Sequence, residues 1–551
     1  MSGRILLIGL DGGTLDVIRP LRQQGRLPTF DRLMREGAWG ELESTLPSIT
    51  PPAFASLLTG CNPGKHGVFD FYSRQPGGYN PVPANGTTIK TETLPQILSR
   101  HQRAVGSVNV PMSYPPRPLN GFMVTDMMTP PGAAYTYPAE LQTELDAMGY
   151  RIELDQWYRR GRERETLDAI LSVLHVQERA VRTLMAERPW DFLAVVFRAT
   201  DLAQHYFWRF MDPGHPDYTE GEGRAHGDLI PRVYEECDAA IARLMEAAGP
   251  ETTVLVVSDH GFGRETKMVH LSNWLRQLGY LRFQQSPLAR LKKLTFDLGL
   301  TADNVMNTLG RLGLEKLFTR ASRETKSRIF ASLFLNYGDI DWAQTRAYAR
   351  GQIGQIFLNV RGREPQGIVE PGEPYYQLRA EIVERLLQLR DPDNGQHMVD
   401  RVYLQEEIYT GTHAKDGPDI LIDWRNLEYW AFDVLAGGRK IVAPNLRTRS
   451  GGHRMNGIFF ARGPEVTAGR VLEGARIVDV APTILHQMAL PVPEHMDGRV
   501  LHEIFAETAR AAQTPIAYEH TNGAHAGASV GYTAEEEEKV KERLRQLGYL
   551  S

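Results

Sequence analysis

Short, unbroken apolar runs alternate along this chain with stretches of helical periodicity. Ile5 to Leu10, Val105 to Val110, Phe192 to Phe197 and Thr253 to Ser258 are runs of the kind buried on both faces of a parallel sheet. Ala139 to Met148 and Glu165 to Glu187, between them, carry apolar residues at helical spacing. The alternation predicts a doubly wound α/β fold, a mostly parallel sheet with helices on both faces. From Pro287 to Leu335 the pattern changes to helical segments rich in leucine and in basic residues such as Arg290, Lys293, Arg311 and Arg320, and reads as an insertion. Arg346 to Val360 returns to strand-like sequence, and Tyr376 to Leu389 reads as a helix. Asp419 to Ile422, Lys440 to Ala443 and Gly457 to Ala461 are expected to resume the core, followed by a core helix over Asp479 to Met488. The tail, Thr533 to Leu550, has a Thr cap and acidic first turn before Val540, Leu544 and Leu547, the pattern of a charged surface helix. The expected division is a core over 1–285, a mainly helical insertion or cap over 286–375, the second part of the core over 376–505, and a tail over 506–551.

Composition adds boundaries to this picture. Hydrophobic content of 42% and charged content of 23% over 551 residues suit a large soluble globular protein. A net charge of -5 gives no reason to expect nucleic-acid binding. Cys61 and Cys237 alone make no disulfide framework and no thiolate metal site, so a reducing, cytoplasmic setting is expected. The apolar run at the N-terminus is too short for a signal segment, and no stretch has the length of a membrane span.

The strand ends carry the chemistry. Asp11 directly follows the first run, Asp201 follows the third after a few residues, and Asp259-His260 directly follows the fourth. In an open α/β sheet, ligands bind outside the carboxyl ends of the strands, so these acids would meet along one edge. Asp201 and His205 share a face if their segment is helical, and Ser450-Gly451-Gly452 is a flexible entry that could carry His453 to the same place. Oxygen and nitrogen donors without thiolates suit zinc, manganese or iron. Each item also has a plain structural reading, as a surface pair, a cap or a loop histidine; the ordered set is the argument.

Thr45 to Asp70, T-L-P-S-I-T-P-P-A-F-A-S-L-L-T-G-C-N-P-G-K-H-G-V-F-D, adds a hydroxyl. Pro51 and Pro52 suit a first helical turn and Gly60 a helix end, which puts Thr50 at the N-cap. Thr50 is there either a simple cap or a nucleophile at the positive end of the helix dipole.

Taken in order, Asp11, Thr50, Asp201-x-x-x-His205, Asp259-His260-Gly261 and Gly452-His453 resemble the alkaline phosphatase superfamily. T-P-P-A-F-A-S-L-L-T-G-C-N-P-G-K-H-G most resembles its type I phosphodiesterase/nucleotide pyrophosphatase branch, and V-N-V-P-M-S-Y-P-P and T-D-L-A-Q-H-Y-F-W look closer still to the predicted phosphohydrolase/phosphomutase group. The resemblance implies two divalent metal ions, zinc or else manganese. Asp11, Thr50, Asp259 and His260 would surround one, and Asp201, His205 and His453 the other. It further implies a phosphodiesterase or phosphatase with Thr50 as nucleophile and a phosphothreonine intermediate, acting on a phosphorylated small-molecule or lipid-like substrate. A phosphomutase sharing the same site and a non-catalytic binding protein retaining the fold are the alternatives.

The chain departs from the nucleotide pyrophosphatases where they carry an asparagine that holds a phosphoryl oxygen: Phe71 stands there. Pro51 and Pro52 also remove two N–H groups from the helix start. The remaining donors are the Thr50 and Ala53 amides and the side chains of Asn109, Lys65 and Arg198, with Asn109 ranked first because it follows a strand. Asn109 reads equally as a residue that shapes the turn before Pro111. The insertion is read as a cap packed on the core, with a lid, a membrane-surface helix or a contact in a homo-oligomer as further roles.

Overall fold

The computed structural model describes residues 3–74, 77–155, 158–301, 304–305, 333–433, 435–436, 438–445, 449–521 and 531–546. Among these, nine strands form the central sheet. They run in the spatial order Arg470–Arg476, Ala38–Glu43, Asn456–Arg462, Thr253–Val257, Ile5–Leu10, Phe192–Phe197, Val105–Val108, Gly121–Val124 and Thr136–Tyr137. The strands from Thr253–Val257 to Gly121–Val124 are mutually parallel, whereas Asn456–Arg462 and Thr136–Tyr137 run antiparallel to their neighbours. The fold is α/β, as the alternation of patterns predicts.

Alternate residues of the central strand explain why both faces are covered. Leu6, Ile8 and Leu10 join a core with Ile170, Leu174, Phe207 and Ile241 from the helices Glu163–Glu187, Ala199–Met211 and Leu229–Ala248. Ile5 and Leu7 point the other way, to Phe54 and Leu57 of the helix Thr50–Thr59 and to Ile484. A third core belongs to a cap of smaller sheets and contains Ile49, the residue before Thr50. The start of the Thr50 helix is therefore anchored on one side to the main sheet and on the other to the cap.

Three sequence expectations change. Ile420–Trp424 lies in a four-stranded antiparallel sheet with Ala347–Arg350, Gln355–Leu358 and Val399–Leu404, and Val442–Pro444 lies in a three-stranded sheet with Lys267–His270 and Tyr429–Phe432. Of the three runs expected to resume the core, only the last belongs to the central sheet. Short apolar runs look alike in either sheet, because periodicity reports burial and not the partner. The described part of 286–375, expected to be mainly helical, also supplies two strands of that cap sheet, while Arg311, Lys316 and Arg320 lie outside the described residues. Finally, the tail helix Ala534–Gln546 is charged but not merely superficial, since Val540 and Leu544 are buried in the first core. Leu547 lies outside the described residues.

Candidate active site

Register fixes where the site forms. Leu10 pairs with Phe197 and Gly9 with Val257, so Asp11, Arg198 and Asp259 leave the sheet at one edge. Gly12 turns the chain there with a positive φ of 70°, and its N–H donates to Asp259 Oδ1 at 3.2 Å. Asp201 sits in the first turn of the helix Ala199–Met211, with His205 one turn later and its Nε2 3.1 Å from Asp201 Oδ1. His453 arrives on a two-stranded ribbon, Gly451–Arg454 against Gly261–Arg264, directly opposite Phe262. Its Nε2 lies 3.2 Å from that of His205 and 3.6 Å from Asp201 Oδ1. His260 Nε2 lies 3.3 Å from Asp259 Oδ2 and 3.6 Å from Asp11 Oδ1.

The hydrogen bonds on the far side of each ring assign its tautomer. His205 Nδ1–H donates to the Gly451 carbonyl at 2.8 Å, His260 Nδ1–H to the Gly261 carbonyl at 3.0 Å, and His453 Nδ1–H to the Ser48 carbonyl at 3.0 Å. A backbone carbonyl only accepts, so the proton is on Nδ1 in all three and each Nε2 presents a lone pair. Burial keeps the His205 and His453 rings neutral: it pushes His205 down to about 4, helped by Arg449, and holds His453 well below the usual range, helped by the neighbouring His260. The lone pairs of His205 and His453 thus face each other with no proton between them.

Carboxylates complete the set. Asp11, Asp201 and Asp259 are fully buried. Burial and the charges of Asp259 and Asp201 hold the Asp11 carboxyl well above its usual range, and burial raises Asp259 too. Burial acts the same way on Asp201, opposed there by the Arg198 guanidinium 3.3 Å away. Among the described residues, Asp11 Oδ1, Asp259 Oδ2 and His260 Nε2 find no hydrogen-bond partner. Those three residues form one potential metal-ligating group, and Asp201, His260 and His453 form a second. Three acids and converging lone pairs in a dry site call for positive charge, so the donor set fits divalent cations.

Thr50 follows by two residues Ser48, whose carbonyl fixes His453. The expected N-cap shifts by one residue: the helix spans Thr50–Thr59, Ile49 occupies the cap position, and no side chain caps it. The reason is chemical. A cap side chain would bind the second or third N–H of the helix, and those positions are Pro51 and Pro52. The Thr50 hydroxyl is thereby left out of capping. The Ala53 amide, expected as a donor to an oxyanion, is already donated to the Ile49 carbonyl at 3.1 Å.

The side chains expected to bind substrate separate. Arg198 lies in the cluster, between Asp11 and Asp201 at 3.3 Å from each. Asn109, in a left-handed conformation after its strand, lines a cavity with Arg198, and its Oδ1 accepts from Tyr150 at 2.6 Å. Lys65 is engaged elsewhere: its ammonium donates to Asp497 at 2.5 Å and to the His495 carbonyl at 2.7 Å. Sequence reasoning missed Arg449, whose Nη2 donates to His205 Nε2 at 3.2 Å, and Glu153, an ion-pair partner of Arg198. Arg449 had one signal, its place in the loop that carries His453; Glu153 had none.

The sequence pattern of the type I phosphodiesterase / nucleotide pyrophosphatase family matches residues 5–437. The chain belongs to that family. It is a phosphoester hydrolase by family, within the alkaline phosphatase superfamily. Phosphonoacetate hydrolase from Sinorhizobium meliloti 1021, solved with phosphonoformate, is similar in structure, with a TM-score of 0.51 and 15% identity over 89% of this chain and 96% of that one. Human ectonucleotide pyrophosphatase / phosphodiesterase 5 aligns with a TM-score of 0.47 and 13% identity over 88% of this chain and 95% of its own. No curated protein matches in sequence. No helix among the described residues of this phosphodiesterase-family chain is long and apolar enough to cross a membrane.

Proposed function

We propose that the protein is a metal-dependent phosphoric ester hydrolase that works through a phosphothreonine at Thr50 and prefers phosphodiesters to monoesters. The observation that carries this reading is the tautomer set: three imidazole lone pairs converge with three buried carboxylates beside the start of the Thr50 helix. Asp11, Asp259 and His260, with Thr50, would hold one ion, and Asp201, His205 and His453 the other, zinc or manganese. Bound there, such ions supply the Lewis acidity that lowers the pKa of the Thr50 hydroxyl and neutralises charge on the phosphoryl group.

Thr50 Oγ1 forms the new P–O bond while the bond to the leaving oxygen breaks, and that oxygen departs with the electron pair and takes a proton. Water then attacks phosphorus, the Thr50–O–P linkage opens, and the threonine hydroxyl is restored. With the Pro51, Pro52 and Ala53 amides withdrawn, Arg198 is the cation positioned to meet the phosphoryl oxygens. The test is a screen of aryl phosphate mono- and diesters with zinc or manganese. Turnover of a diester that stops on chelation and returns with metal is expected; no turnover of any ester by protein carrying both ions overturns the reading.

A further inference from the structure

Arg198 is held by three carboxylates, and they are not equivalent. Its Nε and Nη2 lie 3.3 Å from Asp11 and Asp201, longer than the usual charge-assisted hydrogen bond, while Nη1 donates to Glu153 Oε1. Asp11 and Asp201 belong to the metal-ligating groups, so their charge is shared with whatever binds there. Glu153 does not; its carboxylate pairs with Arg198, and its charge also reaches Arg543 of the tail helix.

Glu153 also shares a cavity with Asn109. Both residues line, with Arg198, a cavity of about 20 Å³. Glu153 Oε2 and Asn109 Nδ2 are both buried without a hydrogen-bond partner among the described residues. One is an acceptor and the other a donor, and a cavity of this size holds a single water, which needs only about 10–15 Å³. Tyr150, three residues before Glu153, fixes the other end of the Asn109 amide. Phe71, in contrast, is buried in the first core and offers no side-chain donor.

We propose that Glu153 is a positioning residue, which with one buried water shared with Asn109 fixes the Arg198 guanidinium as the receptor for the substrate's phosphoryl oxygens. This rests on the phosphoester-hydrolase reading and names the device that replaces the asparagine missing at Phe71. A buried guanidinium without such an anchor has several rotamers and loses the pre-organisation that makes arginine selective for phosphate.

The experiment uses the full chain loaded with zinc or manganese, with inorganic phosphate as the calorimetric probe and an aryl phosphodiester for kinetics. Glu153→Gln is expected to weaken phosphate binding about tenfold and to lower kcat/KM by a similar factor, with metal content unchanged. In an Arg198→Lys background the same substitution is expected to add less than about twofold, because the two residues act as a unit. Unchanged phosphate affinity in Glu153→Gln, or an equal loss with and without Arg198, overturns the proposal. If Glu153→Gln does not fold, Glu153→Asp, which retracts the carboxylate by one carbon, is read in the same way. Wild-type protein that binds phosphate but turns over no ester removes the hydrolase reading, and the effect of Glu153→Gln on phosphate affinity still decides the anchor.

Discussion

The rings of His260 and His453 stack 3.6 Å apart and within 17° of parallel. Each sends its Nδ1–H outward, to the Gly261 and Ser48 carbonyls, and each turns its Nε2 lone pair toward the acids. Protonating either ring would set a cation against its neighbour in a dry site, so the stack is expected to be stable when a divalent cation lies at each lone pair. Chelation is therefore expected to lower the melting temperature, and zinc or manganese at a hundredfold excess over Kd to restore about 3 kcal/mol of stability. Thermal melting with parallel elemental analysis checks this; equal melting curves with and without metal would refute it.

Thr50 contributes nothing to helix capping, since the donors a cap would serve are absent at Pro51 and Pro52. Thr50→Ala is expected to fold, to retain its metal, and to lose turnover by at least about a thousandfold. Thr50→Ser, which keeps the hydroxyl, is expected to retain measurable activity. Radiolabel from a phosphate ester trapped on the wild type and absent from Thr50→Ala would identify the phosphothreonine. Near-normal turnover by Thr50→Ala would end its assignment as nucleophile.

The strand runs and their terminal acids were legible because burial on both faces leaves a continuous apolar signature, and a parallel sheet brings every strand's carboxyl end to one edge. Asp11, Asp201 and Asp259 could be placed together on that ground alone. The helix cap falls at Ile49, one residue before the expected cap at Thr50, since local pattern marks helix ends only to within a residue or two. Lys65 follows the helix of Thr50 closely, yet its partner Asp497 lies far along the chain and nothing local announces it. Glu153 was invisible for the same reason: its meaning depends on Arg198, and an isolated acid in an irregular segment carries no periodicity. The run Asp419 to Ile422 belongs to the cap and not to the central sheet, because a buried strand of a small antiparallel sheet looks like a core strand.

The tail helix offers a test of packing. Leu544 is fully buried and Val540 nearly so, and between them Arg543 donates to the Met127 and Thr129 carbonyls at 2.7 and 2.6 Å. Leu544→Ala removes buried methyl groups from that contact and is expected to cost about 2–5 kcal/mol. The loss is expected first as release of this helix, which packs through Val540 and Leu544, and is seen as faster proteolysis after residue 531. The exposed Glu535–Lys539 pair serves as a control, and Lys539→Ala is expected to change stability by less than about 0.5 kcal/mol. Equal protease resistance of Leu544→Ala and wild type would show that the tail is held by other contacts.

Acid sensitivity is expected to depend on His66, which lies outside the metal-ligating groups. Its ring is fully buried, with Nδ1 accepting from the Val68 N–H at 3.2 Å and Nε2 donating to Ser56 Oγ at 2.9 Å. That pattern uses the neutral imidazole, and burial pushes the pKa down to about 3. In the unfolded chain the ring titrates near 6.5. Above that value neither state binds the proton and His66 contributes no slope. As pH falls below it, the unfolded chain takes up a proton that the native ring refuses, so stability is lost progressively down to the folded pKa. Between pH 7 and pH 5 the loss from this one group is about 2 kcal/mol. His66→Gln keeps a donor for Ser56 but does not titrate, so the variant is expected to be less stable at pH 7 and to close the gap on wild type as the pH falls. Melting curves for both proteins across pH 4 to 8 measure the gap; a constant difference would mean that the native ring accepts its proton as readily as the unfolded one.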